Sequence, residues 1–295
     1  MVLDQDTLQQ MVNEQIRICL VMCLLGSFSY WIASSRGFFR SLYYSSEPHV
    51  RGYEVCLAFG LFIFSQLFLF PTLGTLGYYL LTGESLLSGR LTHLQAGWLT
   101  IFTILGGFLS NLLALAFISK QRRGPLFQQN NASLWQQLKV GCLSWFICFP
   151  LVTALGRLVS LGVLLWFRQE AVDQSAVKHL KALFDYPLVF SLTTLEIVLL
   201  VPFAEEFLFR GLLQTWLKNR FKNILGAIIA TSTLFAFFHF SWSQGITNIE
   251  LLTSLFVLSC YLGYLRESQQ SLWAPIGLHA FFNLVSILMI ISFDT

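Results

Sequence analysis

Long apolar stretches separated by short polar ones run through most of the chain. Crossing a hydrocarbon core of about 30 Å takes roughly 20 helical residues. Eight stretches approach that length, approximately 15 to 34, 55 to 82, 97 to 118, 141 to 166, 188 to 212, 224 to 240, 250 to 265 and 274 to 292. The pattern predicts an all-α fold, a polytopic transmembrane helix bundle of about eight spans. Pro71 in the second stretch predicts a kink, because proline lacks the amide donor and crowds the preceding turn. The sixth and seventh are short for a full crossing. The most polar segment, 119 to 140, carries Gln128, Gln129, Asn130 and Asn131 and predicts a cytosolic loop after three spans. No internal repeat breaks the pattern.

Composition agrees with a lipid solvent. Of 295 residues, 55% are hydrophobic, 16% aromatic and 11% charged, whereas soluble domains carry about 25% charged residues. With mean hydropathy at +0.66, there is too little polar surface to cover a water-soluble particle. A soluble enzyme, an extended disordered protein and a nucleic-acid binder are excluded as readings. Cys19, Cys23, Cys56, Cys142, Cys148 and Cys260 lie in or beside apolar runs, without the spacing of a disulfide framework or a metal knuckle. Asp4, Asp6 and Glu14 make the first run's leader acidic, unlike the basic leader of a signal peptide, so the run reads as a retained span.

The net charge of +3 is small, and its distribution carries topology. Alternating the spans puts Arg36, Arg40, Arg51, Lys120, Arg122, Arg123, Lys139, Lys218, Arg220, Lys222 and Arg266 on one side, and Arg90, Arg168, Lys178 and Lys181 on the other. An excess of Lys and Arg marks the cytosolic side, which predicts both termini outside.

Charges within spans are the informative exceptions, since each costs about 2.5 to 3.5 kcal/mol at a helix centre. They are Arg157, Glu196 and the cluster Glu205, Glu206 and Arg210, joined by the titratable His239 and His279. Glu206 and Arg210 are four apart and can pair on one helix face. Glu205 points about 100° away from Glu206, outside that pair. His239 closes the string Phe235-Ala236-Phe237-Phe238-His239, and His279 shares a face with Asn283. Glu196 falls on nearly the opposite face from Glu205; it and Arg157 read as interhelical hydrogen-bonding groups. His49, His93 and His179 fall in predicted loops and read as surface histidines.

Three of these strings, Glu-Glu-x-x-x-Arg, Phe-x-x-x-His and His-x-x-x-Asn, resemble the ordered motifs of the CAAX protease and bacteriocin-processing (CPBP, or Abi) family of intramembrane proteases, which includes the type II CAAX prenyl endopeptidases. The resemblance covers about the last third of the chain, suggesting catalytic helices over 185–295 and motif-free membrane helices over 1–184 in one integrated domain. Amide hydrolysis needs a water, a base and donors for the developing oxyanion. Glu205 suits the base, His239 can hold the same water, and His279 with Asn283 can face the oxyanion. The resemblance implies the same assignment, with Glu206 and Arg210 orienting and Phe235 a pocket wall. It also implies a hydrophobic or lipidated peptide or protein as substrate, with a prenylated C-terminal peptide the natural guess. A bacterial cytoplasmic membrane is preferred to an organelle membrane, with the site open to the cytosol.

Other chemistries stay open. Glu205, His239 and His279 form a His2Glu set of the kind that holds catalytic zinc, but no H-E-x-x-H string accompanies them and no cofactor is expected. A proton-coupled transporter would also place Glu and His within spans, and a non-catalytic scaffold could share the fold. Helix geometry raises one difficulty. Measured from the Lys218–Lys222 turn, Glu205 is about 20 Å and His239 about 26 Å along their helices, whereas His279 is about 12 Å past Ser271. They meet only if the hairpin projects roughly 10 Å into the cytosol.

Overall fold

The computed structural model describes residues 5–39, 41–42, 44, 48–83, 85–86, 89, 91–168 and 174–294. Asp4, Arg40 and Arg90, which bear on the leader and the charge balance, lie outside the described residues. The described elements are α1 (Gln5–Ser35), α2 (Gly52–Phe64), α3 (Phe70–Thr82), α4 (His93–Phe117), α5 (Lys120–Phe127), α6 (Leu134–Phe167), α7 (Ser175–Lys181), α8 (Pro187–Glu206), α9 (Thr215–Phe221), α10 (Ile224–Phe238), α11 (Thr247–Gln269) and α12 (Trp273–Asp294). Wide π turns join α2 to α3 at Ser65–Leu69 and α8 to α9 at Phe207–Gln214.

The fold is an all-α membrane bundle, with a different balance of spans from the eight expected. Seven continuous helical stretches among the described residues are long and apolar enough to cross a membrane. The expected sixth span is the shorter α10, Ile224–Phe238, of 15 residues. At 1.5 Å per residue it extends about 22 Å, which is less than a full crossing. Asn223 caps its start by accepting from Gly226 N–H at 3.0 Å. Asn248 bonds the carbonyls of Ser241 and Gly245 and the amide of Ser241, closing the turn that returns the chain into α11.

The second span bends differently from a simple proline kink. Just ahead of Pro71 the helix widens, and Phe70 N–H donates to Ser65 O, five residues back. Proline's missing N–H disrupts the ordinary ladder at this point, and a π turn absorbs the mismatch.

Residues 119 to 140 are also not a plain loop. They form α5, a turn and the first residues of α6. Leu272 N–H donates to Phe127 O at 2.7 Å, Gln129 N–H to Gln270 O at 3.0 Å and Arg266 Nη2 to Leu126 O at 2.9 Å. Asn130 Nδ2 bonds Gln269 O as well. The segment therefore clasps the turn between α11 and α12, while the Phe127 ring stacks on Phe207 and Trp273.

Helix α6 packs against α1, α11 and α12, and α4 against α2 and α8. The contact of α6 with α12 depends on two glycines. A Cβ on Gly141 would lie 2.2 Å from Ala274 O, and one on Gly277 would lie 2.8 Å from Leu138 O. Small residues of this kind let helix backbones touch inside a bilayer, and here they seat the helix bearing His279. Elsewhere the outer faces are apolar: Leu81 is 86% exposed and Trp166 84%, surfaces that suit lipid contact.

Candidate active site

Glu205 and Glu206 end α8, where the regular helix gives way to the π turn. Helix α8 starts at Pro187, a residue preorganised for the first helical position, and carries Pro202 internally. The Glu206 and Arg210 side chains are fully buried and paired, with Arg210 Nη1 donating to Glu206 Oε1 at 2.8 Å. Arg210 Nη2 donates to Ser259 Oγ at 2.7 Å, tying the pair to α11. The guanidinium carbon lies 4.5 Å above the Phe235 ring, within cation–π range.

The three histidine and glutamate motifs converge around this pair. His279 Nδ1 lies 2.9 Å from Glu206 Oε1. His279 Nε2 lies 3.8 Å from Glu205 Oε2, and His239 Nε2 lies 3.8 Å from Glu205 Oε1. Both latter separations exceed hydrogen-bond length, and a water bonded to both atoms would lie to one side of the line between them. The depth difficulty therefore does not keep Glu205 from the two imidazoles.

Partners assign the ring nitrogens. A carboxylate only accepts, so His279 Nδ1 carries a proton toward Glu206. His239 Nδ1 lies 2.9 Å from Phe235 O, and a carbonyl also only accepts, so this nitrogen is protonated too. In the neutral rings both Nε2 atoms then present lone pairs toward Glu205. The Phe235 ring, with its centroid 4.8 Å from that of His239 and 6.2 Å from that of His279, spaces the two imidazoles.

Asn283 sits differently from the cluster. Its Nδ2 donates to Ile197 O on α8 at 2.9 Å, securing α12 to the helix that bears Glu205. Glu196 is buried, and no protein group bonds its Oε2. Arg157 acts on Glu250 of α11, which also bonds Ser160. His179 is half-buried in α7, with Nε2 3.0 Å from Thr100 Oγ1, rather than a plain surface histidine. Among the described residues, no group of three His, Cys, Asp or Glu is arranged to hold a metal ion.

Several uncharged residues also belong to the site. Ser259 anchors Arg210, and Asn111 Nδ2 on α4 donates to Ala204 O at 3.3 Å, next to Glu205. Gln66, in the first π turn, lines a cavity with Glu205. Asn111 and Gln66 are the carboxamide side chains of the apolar runs 97 to 118 and 55 to 82.

Buried Glu, His and Arg side chains meet here at a junction of membrane-spanning helices, and among the described residues this is where the three motifs come together. Residues 187–285 match the family described as type II CAAX prenyl endopeptidase, Rce1-like, and the matched region contains every motif residue of the cluster. That family supports a peptide hydrolase in a multi-pass membrane protein, with a peptide substrate within the bilayer. No curated protein and no solved structure matches the chain.

Proposed function

We propose that the chain is a glutamate-type intramembrane endopeptidase that hydrolyses a hydrophobic substrate using a water activated by Glu205 and His239. The observation that carries this reading is the Glu205 carboxylate between two imidazole Nε2 atoms, 3.8 Å from each. A water bonded beside Glu205 and His239 can give its proton to Glu205 while its oxygen attacks the scissile carbonyl carbon. The proton then passes to the leaving amine as the C–N bond breaks. His279, held by Glu206, is the side chain whose Nε2 faces the oxyanion position, with Glu206 as counter-charge. Asn283 has a second amide N–H besides the one bonded to Ile197 and joins His279 in that role.

The substrate is read as a hydrophobic peptide reached from the cytosolic side of a bacterial cytoplasmic membrane, and a prenylated C-terminal peptide is the first to test. Purified protein is incubated with farnesylated and unmodified hydrophobic peptides, comparing wild type with Glu205→Ala, His239→Ala and Glu206→Ala. Cleavage is expected in the wild type and lost in all three variants. Cleavage unaffected by Glu205→Ala refutes Glu205 as the base.

A further inference from the structure

The N-terminal helices reach Glu205 through a small cavity. It measures about 50 Å³ and is walled by Phe62, Ile104, Leu200 and Ala204, with Gln66 and Glu205 as its polar lining. On the same kind of measure a single water needs roughly 10–15 Å³, so the space admits water. Two polar residues line it. Glu205 Oε2 is buried and accepts no hydrogen bond from any protein group, although a carboxylate has several acceptor positions. Gln66 supplies an amide with donor and acceptor ends.

The fold makes room for Gln66 in two ways. The π turn Ser65–Leu69 shifts it out of the ordinary helical phase, and such turns recur at functional sites. Across from it, α4 has a glycine: a Cβ on Gly107 would lie 2.2 Å from Gln66 Nε2. An amide in a predominantly apolar interior costs free energy unless something bonds it.

We propose that this cavity is a water-binding site in which Gln66 holds a water against the Glu205 carboxylate, making Gln66 a positioning residue supplied by the motif-free part of the chain. The inference rests on the reading of Glu205 as the base. The water bonds the Glu205 carboxylate and the Gln66 amide, fixing the carboxylate rotamer so that Oε1 stays toward His239. The other charged and titratable groups around Glu205 are His239 from α10, His279 from α12, and Glu206 and Arg210 from its own chain segment. Helices α2 and α4 contribute no charge to this cavity.

The test compares wild type, Gln66→Met, Gln66→Asn and Glu205→Gln on the peptide that the wild type cleaves, measuring kcat and KM separately with thermal unfolding in detergent as a folding control. Gln66→Met fills the space without bonding water and is expected to lower kcat about ten-fold, the worth of one hydrogen bond, with KM unchanged. Gln66→Asn keeps an amide and is expected to recover most of the rate. Wild-type kcat in a folded Gln66→Met, alongside an inactive Glu205→Gln, overturns the water site alone. Wild-type activity in Glu205→Gln instead overturns the base assignment beneath it. If Gln66→Met does not fold, a high-resolution experimental structure of the full chain decides. Density for a water within hydrogen-bond distance of both Gln66 and Glu205 supports the site, and a cavity filled by side chains or lipid overturns it.

Discussion

His279 Nδ1–H donates to Glu206 Oε1 across 2.9 Å, and this bond turns the opposite ring nitrogen toward Glu205. The same carboxylate oxygen accepts from Arg210, so one buried atom sets the orientation of both a histidine and an arginine. Replacing Glu206 by glutamine preserves its size, removes the charge and allows the amide to present N–H to the ring. We expect Glu206→Gln to lower kcat by about 10² or more, as loss of an oriented oxyanion donor does. Steady-state kinetics check this, and a rate within twofold of wild type removes Glu206 from the mechanism.

Removal of one partner from a buried ion pair leaves an uncompensated charge, which costs about 3 to 5 kcal/mol. Arg210→Met and Glu206→Leu should each destabilise the protein by that order. The double variant should lose less than the two together, because contacting residues are not additive. Unfolding in detergent supplies the cycle, and simple additivity would show that the pair is not coupled.

Close approach of α6 to α12 yields a third prediction with its own control. In Gly141→Ala the new methyl meets Ala274 O, whereas nothing lies within 4 Å of a Cβ on Gly162. Gly141→Ala should cost about 1 to 3 kcal/mol through overpacking and lower kcat by shifting His279. Gly162→Ala, in the same helix, should be neutral or stabilising by up to about 1 kcal/mol. Equal effects of the two substitutions would remove the glycine contact as the cause.

Outside the spans, His179 provides a pH dependence. Burial, with the nearby charge of His93 adding to it, holds the His179 pKa below the usual 6.5. Unfolded chains therefore bind this proton at higher pH than folded ones. Stability should decline as pH falls through 6.5 toward the lowered value and level off below it. Thermal unfolding across that range should show the decline, and His179→Gln should reduce it. An unchanged slope in the variant assigns the effect elsewhere.

A metal-free mechanism predicts that purified protein contains less than stoichiometric zinc and cleaves peptide after exhaustive chelation. Elemental analysis paired with activity measurements decides, and activity restored only by added zinc reverses the assignment.

Much of this architecture is readable before folding. Arg210 four residues beyond Glu206, and histidines at 239 and 279, stand out because charge and imidazole are costly in apolar helices. Gln66, Asn111 and Ser259 are harder to see, since uncharged polar side chains barely alter the hydropathy of a long run and their partners lie far away in sequence. The π turn ahead of Pro71 depends on how the backbone relieves that proline, which no periodicity reports. Residues 119 to 140 read as a loop because their docking uses mostly backbone groups, and every residue except proline has the same amide and carbonyl.

The clasp on the α11–α12 turn gives α12 a fixed phase. With Leu272 N–H held by Phe127 O, rotation of the helix is counted from that end, and each residue inserted between Leu272 and His279 turns the imidazole by about 100°. A single alanine placed there would point His279 away from Glu206 while the anchored end stayed put. The segment at 126–130 thus serves as the zero mark from which the chain measures the direction of a histidine two turns away.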